Sequence, residues 1–321
     1  MSVKVAPFPI RPARNQFPVY IPTKSRWDNR LTMDALDAIG VDWFAIIEPG
    51  QVDAYVDAGV PRRRVVVLDP AYQRDYDVFD DLALTKSVGP GAARNLAWDH
   101  ATAAGYTHHW VMDDNLRGFK YLSGPTRLRF ADDTGLRMVE DFALRYTNVA
   151  MSGPNYDTFV ITKDRVRPPV TFNTRIYSCN LILNAAPYRW RGRYNEDTDL
   201  SIRMLKDGWA TVQHNRVMQL KTRTQQLRGG NSEAFYDAEG TWPKSEMLWR
   251  MHPDVTRVVH KFGRVHHTVD YRPFAGNALV PVNPNASGPA DTYGVRVVRD
   301  ATGYPWVIGT VGTDVYEGGS L

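Results

Sequence analysis

Short apolar runs alternate with polar segments along the first two thirds of the chain. Three of these runs have the length of β-strands, at residues 17–21, 43–47 and 64–68. Between them, the spacing of apolar residues predicts two helices, at residues 31–39 and 51–58. Gly40 and Gly59 follow these two segments, where a glycine commonly ends a helix. Nearly continuous apolar strands that alternate with helices indicate a parallel sheet covered on both faces.

The same alternation continues toward the C-terminus. A helix is predicted at residues 92–104, and an apolar strand at residues 109–112 leads directly into Asp113-Asp114-Asn115. The remaining core elements are three strands and one helix, at residues 149–152, 176–183, 211–220 and 198–206 respectively. Beyond residue 271, proline, glycine and asparagine predominate, which predicts a small irregular or β-rich extension. We therefore expect an α/β fold with an open, mostly parallel, Rossmann-like sheet flanked by helices.

Polar residues collect where the predicted strands end. They are residues 23–26, Glu48, Asp69 and Asp113-Asp114-Asn115. In an open parallel sheet, ligands bind in the crevice at the carboxyl ends of the strands. The coincidence of these groups at one sheet edge predicts a ligand site there.

Adjacent aspartates repel each other, so a fold that keeps Asp113 and Asp114 charged must supply a cation or hydrogen-bond donors. Mg²⁺ or Mn²⁺ suits such a site, because hard cations prefer oxygen ligands and a substrate diphosphate. The alternative is a simple turn, since Asp and Asn favour turns through local hydrogen bonds.

The segment Gly91-Ala92-Ala93-Arg94-Asn95, followed by a strand and Asp113-Asp114-Asn115, resembles the donor half of GT-A fold glycosyltransferases with their DxD-type motif. Residues 195–203, with the sequence NEDTDLSIR and followed by Gly208-Trp209, resemble the acceptor-side ED helix of the same superfamily. The pattern at residues 109–115 is also similar to the phage TET-associated glycosyltransferases. The chain departs from many relatives at Asn115, where they have Asp.

The resemblance implies a metal-dependent hexosyltransferase domain at residues 1–270, with a donor half at about 17–120, an acceptor half at about 145–225, and an extension at 271–321. It implies a nucleotide-diphospho-sugar donor, with a UDP-sugar favoured. The expected donor-binding residues are Pro22, Thr23, Lys24, Arg26, Glu48, Arg94 and Asp113. The expected ligands of Mn²⁺ or Mg²⁺ are Asp114, Asn115 and His214, and a structural role for the histidine is the alternative.

A sugar transfer that inverts the anomeric carbon needs a base for the proton of the acceptor hydroxyl. Asp197 is the expected base and Glu196 the group that orients the hydroxyl. The alternative is that both are ordinary acidic residues of a first helical turn. Arg228 belongs to a basic, glycine-bearing segment at residues 221–231, which we expect to fold over the diphosphate unless it is a simple surface loop.

The acceptor is the open question, and the charge bears on it. The net charge is +4 and the pI about 9.0, a mild excess spread along the chain that favours a polyanionic partner, although the charge alone is better explained by a solvated surface. Aromatic and cationic residues alternate at residues 188–194, which either stack a base flipped from DNA or form a structural loop with surface arginines. The resemblance implies double-stranded DNA with hydroxymethylated pyrimidines as the acceptor. The rivals are a polysaccharide, glycolipid or protein acceptor, a nucleotidyltransferase, and a non-catalytic DNA-binding protein.

Two further features concern the cellular setting. The single cysteine, Cys179, lies among apolar residues and predicts a buried thiol. No secretory signal or apolar membrane span is visible, so the expected location is the cytoplasm, of the host if a phage encodes the chain. A Rossmann dehydrogenase is excluded, since Gly89-Pro90-Gly91 lacks the third glycine of that motif.

Overall fold

The computed structural model describes residues 15–79, 88–123, 126–160, 168–222, 242–261 and 263–282, and the strand backbone at 295–299, 305–311 and 314–315. Its helices are α1 (Leu31–Asp37), α2 (Val52–Asp57), α3 (Pro70–Arg74), α4 (Gly91–Ala103), α5 (Thr134–Ala143), α6 (Glu196–Lys206) and α7 (Trp242–Met251). The first strands are β1 (Val19–Pro22), β2 (Trp43–Ile47), β3 (Val65–Val67), β4 (His108–Met112), β5 (Leu116–Ser123) and β6 (Thr126–Arg129). They are followed by β7 (Val149–Tyr156), β8 (Val170–Phe172), β9 (Cys179–Leu183), β10 (Ala210–Lys221), β11 (Thr256–Lys261) and β12 (Arg264–Val269). The last three are β13 (Val295–Arg299), β14 (Pro305–Val311) and β15 (Asp314–Val315).

Among the described residues, the first ten strands form one sheet in the order β3-β2-β1-β4-β9-β7-β10-β5-β6, with β8 paired to β10. The pairings β1 to β2, β2 to β3, β1 to β4 and β7 to β10 are parallel. Strand β9 is antiparallel to both of its neighbours, β4 and β7, so β7 and β10 run in the same direction as β1 to β4. The expectation of an open, mostly parallel sheet flanked by helices is thus confirmed.

This topology brings the carboxyl ends of β1, β2, β3, β4, β7 and β10 to one edge of the sheet. The amino ends of the antiparallel strands β9 and β5 reach the same edge, because those strands run the other way. Hence the residues just before β9 and β5 lie among the residues that follow β1, β4, β7 and β10. We refer to this side of the sheet as the carboxyl edge.

Both faces of the sheet are covered, which explains the nearly continuous apolar strands. Val19 and Ile21 of β1 point to one face and pack in a cluster with residues of α1 and α5. Tyr20, between them, points to the other face and packs with Ala97 and Ala101 of α4. Cys179 is fully buried, as the sequence predicted.

The hairpin of β5 and β6 and the helix α5 were absent from the sequence prediction. All four residues of β6 are exposed, and β5 mixes cations with apolar residues, so neither shows a clear hydrophobic pattern. Helix α5 follows a loop with two aspartates, and its buried face covers the sheet near β7 and β10.

Beyond β10, the described chain packs back onto the domain. Phe274 and Leu248 form a cluster with Ile202 of α6, and Leu279 belongs to the main core. The Asn277 amide donates to the backbone oxygen of Leu205 at 2.7 Å. The division into residues 1–270 and 271–321 stays a prediction. In the part of the chain that the structure describes, no helix combines the length and apolar character of a membrane span.

Candidate active site

Asp113 follows β4 at the carboxyl edge, and two cations hold its carboxylate. Arg94 Nη2 lies 2.7 Å from Oδ1, and Lys221 Nζ lies 2.6 Å from Oδ2. The backbone amide of Asp113 donates to the backbone carbonyl oxygen of Ser178 at 2.7 Å, which fixes the start of the turn. Burial by itself would raise the pKa of Asp113, but Lys221 and Arg94 outweigh it and lower the pKa to about 2. Asp113 is therefore ionised at neutral pH.

Asp114 contacts the loop that follows β1. Its Oδ1 pairs with Arg26, and its Oδ2 accepts a hydrogen bond of 2.9 Å from the Thr23 hydroxyl. Burial raises the pKa of Asp114, and these two partners offset only part of that effect. The Tyr55 hydroxyl, 2.8 Å from the Thr23 hydroxyl, also accepts from the Arg26 amide and so holds the loop in place.

The rest of the predicted donor pocket lies at the same edge. Lys24 and Glu48, which follow β1 and β2, form an ion pair of 2.8 Å, and Lys24 is half exposed. Pro22 is the last residue of β1. Asp69 instead caps α3 by accepting from the Ala71 amide, so its role is structural. The sheet topology has brought together residues 22–26, Glu48, Asp113 and Asp114.

A second pair of carboxylates begins α6. Asn195 precedes the helix in the left-handed region, with φ 54°, and Glu196 and Asp197 are its first two residues. Asp197 Oδ1 pairs with Arg94 and lies 3.4 Å from the Asn180 amide, and its Oδ2 accepts from the Ser178 amide at 3.1 Å. Most of the hydrogen-bonding capacity of Asp197 is therefore used by the protein.

Glu196 differs from its neighbour in this respect. In the described part of the chain, Glu196 forms one ion pair, with Arg94 at 3.4 Å. It also accepts a hydrogen bond from its own backbone amide. Burial raises the pKa of Glu196 to about 7, and Arg94 offsets part of the effect. A carboxylate with free lone pairs and a pKa near neutrality has the properties of a general base.

Arg94 on α4 connects the two carboxylate pairs. Its side chain is 3% exposed and contacts Asp113, Glu196 and Asp197. Its guanidinium also lies 4.6 Å from the centroid of the Trp190 ring. The sequence predicted that Arg94 would face the diphosphate or the base of the donor, whereas the structure uses its charge to hold three buried carboxylates together.

Two residues of this cluster escaped the sequence prediction. Lys221 ends β10 and had been assigned to a basic loop, but its ammonium lies between Asp113 and the Ser178 hydroxyl, 2.7 Å from the latter. Ser178 has φ 66°, an uncommon conformation for a residue with a side chain. Asn180, a polar residue within an apolar strand, was the one available signal that this region has a polar function.

The structure also decides which predicted metal ligands lie together. Asn115 Oδ1 is a buried oxygen without a hydrogen-bond partner, one residue from Asp114. His214 lies elsewhere: its imidazole is 3.1 Å from the Ser152 hydroxyl and packs edge-on against Phe142. It precedes Lys221 by seven residues on the same strand, a separation of roughly 20 Å. The position of His214 therefore agrees with its structural alternative and not with a shared ion at Asp114.

The oxygens of Asp114 and Asn115 still fit a divalent cation. Among the described residues, no group of three or more His, Cys, Asp or Glu side chains has the arrangement of a metal site. Mg²⁺, however, is commonly held by one or two protein oxygens together with the phosphates of its substrate. A carboxylate oxygen can accept more than one contact, so the contacts of Asp114 with Arg26 and Thr23 are compatible with an added ion.

The aromatic and cationic stretch at residues 188–194 is a structural loop. Tyr188, Trp190 and Tyr194 are buried, at 8%, 1% and 4% exposure, so their rings cannot stack on an acceptor base. Arg189 and Arg191 pair with Asp99 and Asp199. The burial of these rings contradicts the stacking of a flipped base on this loop and agrees with the structural-loop alternative. Arg228 and Gly229-Gly230-Asn231, the centre of the predicted covering segment, lie outside the described residues.

A comparison with protein families bears on this site. A family model described as TET-Associated Glycosyltransferase matches residues 17–230, two thirds of the chain, from just before β1 to just beyond β10. All residues of the two carboxylate pairs and their partners lie within the match. No curated protein sequence matches the chain.

Proposed function

The chain belongs to the TET-associated glycosyltransferase family, and from this premise we propose that its acceptor is a hydroxymethylated pyrimidine in double-stranded DNA. The family implies a glycosyltransferase with a nucleotide-sugar donor. The observation that carries the proposal is that two pairs of carboxylates lie at one sheet edge and are joined by Arg94. The pairs are Asp113 with Asp114 and Glu196 with Asp197. One pair adjoins the loop after β1, which we assign to the donor. The other pair begins α6, which we assign to the acceptor.

On the donor side, we assign the loop from Pro22 to Arg26, with Glu48, to the nucleotide. Lys24 is half exposed and Arg26 is paired with Asp114, and in this assignment both cations would lie beside the diphosphate. Asp114 and Asn115 Oδ1 would hold Mn²⁺ or Mg²⁺ together with diphosphate oxygens, and such an ion supplies Lewis-acid neutralisation of the departing group.

On the acceptor side, the contacts favour Glu196 as the base, in the reverse of the roles expected from the sequence. The acceptor hydroxyl oxygen bonds to the anomeric carbon, its proton passes to Glu196, and the bond from that carbon to the diphosphate oxygen breaks. The nucleoside diphosphate leaves with the bonding electron pair. Asp197 is a positioning residue, because its oxygens are held by Arg94, Asn180 and the Ser178 amide.

The decisive experiment is a donor and acceptor screen. Purified protein is incubated with Mn²⁺ or Mg²⁺, a panel of nucleotide-sugars led by UDP-sugars, and duplex DNA with or without 5-hydroxymethylcytosine. The DNA is then digested to nucleosides, and their masses are measured by mass spectrometry. We expect a hexose or N-acetylhexosamine mass on the modified base alone, its loss in Asp114→Ala, and its retention in Asp75→Ala, a control at a 71% exposed side chain.

Other results would redirect the assignment. Donor hydrolysis without any DNA product would refute the DNA acceptor, retain the family activity, and favour a glycan, glycolipid or protein. Full transfer by Asp114→Ala would remove the donor site proposed here. Full activity in the presence of a metal chelator would show that transfer does not require a divalent ion, and the glycosyltransferase assignment would be unaffected.

A further inference from the structure

Three aromatic side chains lie at the carboxyl edge without being buried. Tyr156 ends β7, Phe159 follows in the next turn, and Tyr177 precedes β9. The ring centroids of Tyr156 and Tyr177 are 4.4 Å apart, and those of Tyr156 and Phe159 are 5.4 Å apart. The rings therefore form one continuous patch, although their residues come from two separate segments of the chain.

The patch adjoins the carboxylates that begin α6, on the side of Asp197. The Tyr156 hydroxyl is 2.6 Å from the Ser178 hydroxyl, and the Ser178 amide donates to Asp197. Ser178 thus separates the patch from the carboxylates of α6 by a single residue. On the other side, the Lys221 ammonium lies 5.8 Å from the centroid of the Tyr156 ring.

The patch also carries a cation. The Arg175 guanidinium lies 4.9 Å from the centroid of the Tyr177 ring. Within the described residues, no ion pair joins Arg175 to a carboxylate, and its charge interacts with Tyr271, Tyr177, Tyr156 and His267. Its positive charge is therefore available to an anionic ligand at the edge of the rings, unlike the charges of Arg94 and Lys221, which carboxylates neutralise.

The degree of exposure indicates a binding role. Phe159 is 45% exposed, and Tyr156 and Tyr177 are half-buried, whereas the rings of the 188–194 loop are almost fully buried. Exposing a phenyl ring to water is unfavourable. Rings that lie half open beside reactive groups are typical of surfaces on which a flat or apolar ligand stacks.

We propose that Tyr156, Phe159 and Tyr177, with Arg175 at their edge, form the acceptor-binding platform on which the pyrimidine ring stacks while its hydroxyl faces Glu196. This inference rests on the proposed function, which it deepens by assigning the acceptor subsite. The ring faces suit a planar base, and Arg175 suits the phosphate of the same or the next nucleotide. A base in duplex DNA must leave the helix to reach the platform.

A cross-linking experiment tests the platform without relying on catalysis. Full-length protein is bound to an oligonucleotide with 5-iodouracil at the acceptor position, because a stacked iodopyrimidine joins covalently to a neighbouring aromatic ring on irradiation. Peptide mass spectrometry then identifies the attachment site. We expect attachment at Tyr156, Phe159 or Tyr177. Attachment at a different site, or none at saturating protein, would overturn the platform.

Kinetic variants provide a second, independent readout. Tyr177→Leu and Phe159→Leu should each raise the KM for the DNA acceptor about tenfold, because stacking of one base on one ring has roughly that effect. Donor hydrolysis in the absence of DNA should stay within twofold of the original rate. Tyr177→Phe should retain transfer, since it keeps the ring. Trp249→Leu is the matched control, because Trp249 is 44% exposed and lies on α7, outside the platform.

The role of Arg175 has a readout that a merely structural residue would not affect. In Arg175→Gln, the dependence of DNA affinity on salt should weaken by about one counterion.

Unchanged transfer in the leucine variants, or an equal loss of donor hydrolysis, would overturn the acceptor role. If hydroxymethylated DNA proves not to be a substrate but cross-linking still reaches the platform, the proposed function fails while the binding site stands. If transfer occurs with attachment elsewhere, the function stands and the platform fails.

Discussion

The division of roles between Glu196 and Asp197 gives the sharpest test of the site. Glu196→Gln keeps the size of the side chain and removes its ability to take a proton. The loss of a general base commonly lowers the rate by roughly 10²- to 10⁴-fold, so we expect kcat to fall by that range while the KM for the donor changes little. Asp197→Asn should retain more activity, because Glu196 remains.

The pH dependence separates the two residues further. With the pKa of Glu196 raised to about 7 in the free enzyme, only about a tenth of this carboxyl is ionised at pH 6, so kcat/KM should be about a tenth of its plateau there. Asp197 is one of the negative charges that raise the pKa of Glu196. In Asp197→Asn that pKa should therefore fall, and the acidic limb of the rate profile should move to lower pH.

The assay is a continuous measurement of nucleoside diphosphate release from pH 5 to pH 9, with donor and acceptor concentrations varied so that kcat and kcat/KM are both obtained. Thermal unfolding of each variant over the same pH range excludes loss of folded protein as the cause. The reasoning is refuted if Asp197→Asn abolishes transfer while Glu196→Gln retains the original pH profile. That result would restore Asp197 as the base, with Glu196 as the group that orients the hydroxyl.

Three further predictions concern stability. Arg94→Gln should lower the free energy of unfolding by about 3–5 kcal/mol in urea titrations, because it leaves buried carboxylates without their shared partner; unchanged stability would contradict the central role of Arg94. Gly153→Ala should lower the unfolding free energy by about 1–3 kcal/mol or more, since its Cβ would lie 2.2 Å from a backbone oxygen of β9, whereas Gly276→Ala, with nothing within 4 Å, should leave the melting temperature unchanged. Burial raises the pKa of Glu140 from 4.5 to about 7, so the folded state binds more protons than the unfolded state between these values. The unfolding free energy should fall with rising pH across that window, by at most about 3 kcal/mol, and calorimetry of Glu140→Gln should show a smaller slope.

The location of the site could be predicted from the sequence because it depends on a simple geometric rule. Residues 23–26, Glu48 and Asp113 each follow an apolar strand, and parallel strands that alternate with helices share one carboxyl edge. The rule needs only the strands and their direction, and the β1, β2 and β4 pairings agree with it. Burial of Cys179 followed equally directly from its apolar neighbours.

The partners within the site could not be predicted in the same way. Lys221 reaches Asp113 because β10 runs parallel to β7 and antiparallel to β5, an order of strands that local patterns do not encode. His214 is on the same strand as Lys221 but lies in its interior. From the sequence alone, His214 is a candidate ligand and Lys221 part of a basic loop, and only the length and position of the strand in the sheet show that Lys221 is the residue at the site.

The 188–194 loop shows how a misplaced prediction still bears on the function. Its composition suggested stacking on DNA, yet Trp190 is fixed to α4 by hydrogen bonds of 3.0 Å and 2.9 Å with Asn95. The face of that indole supports Arg94, an interaction worth about 1–2 kcal/mol when the pair is shielded from water. Arg94 in turn holds Asp113 and Asp197. Aromatic rings therefore serve two different purposes in this protein. The ring of Trp190 is buried and supports the carboxylates through Arg94, whereas the half-open rings after β7 and before β9 form the surface that we propose for the acceptor.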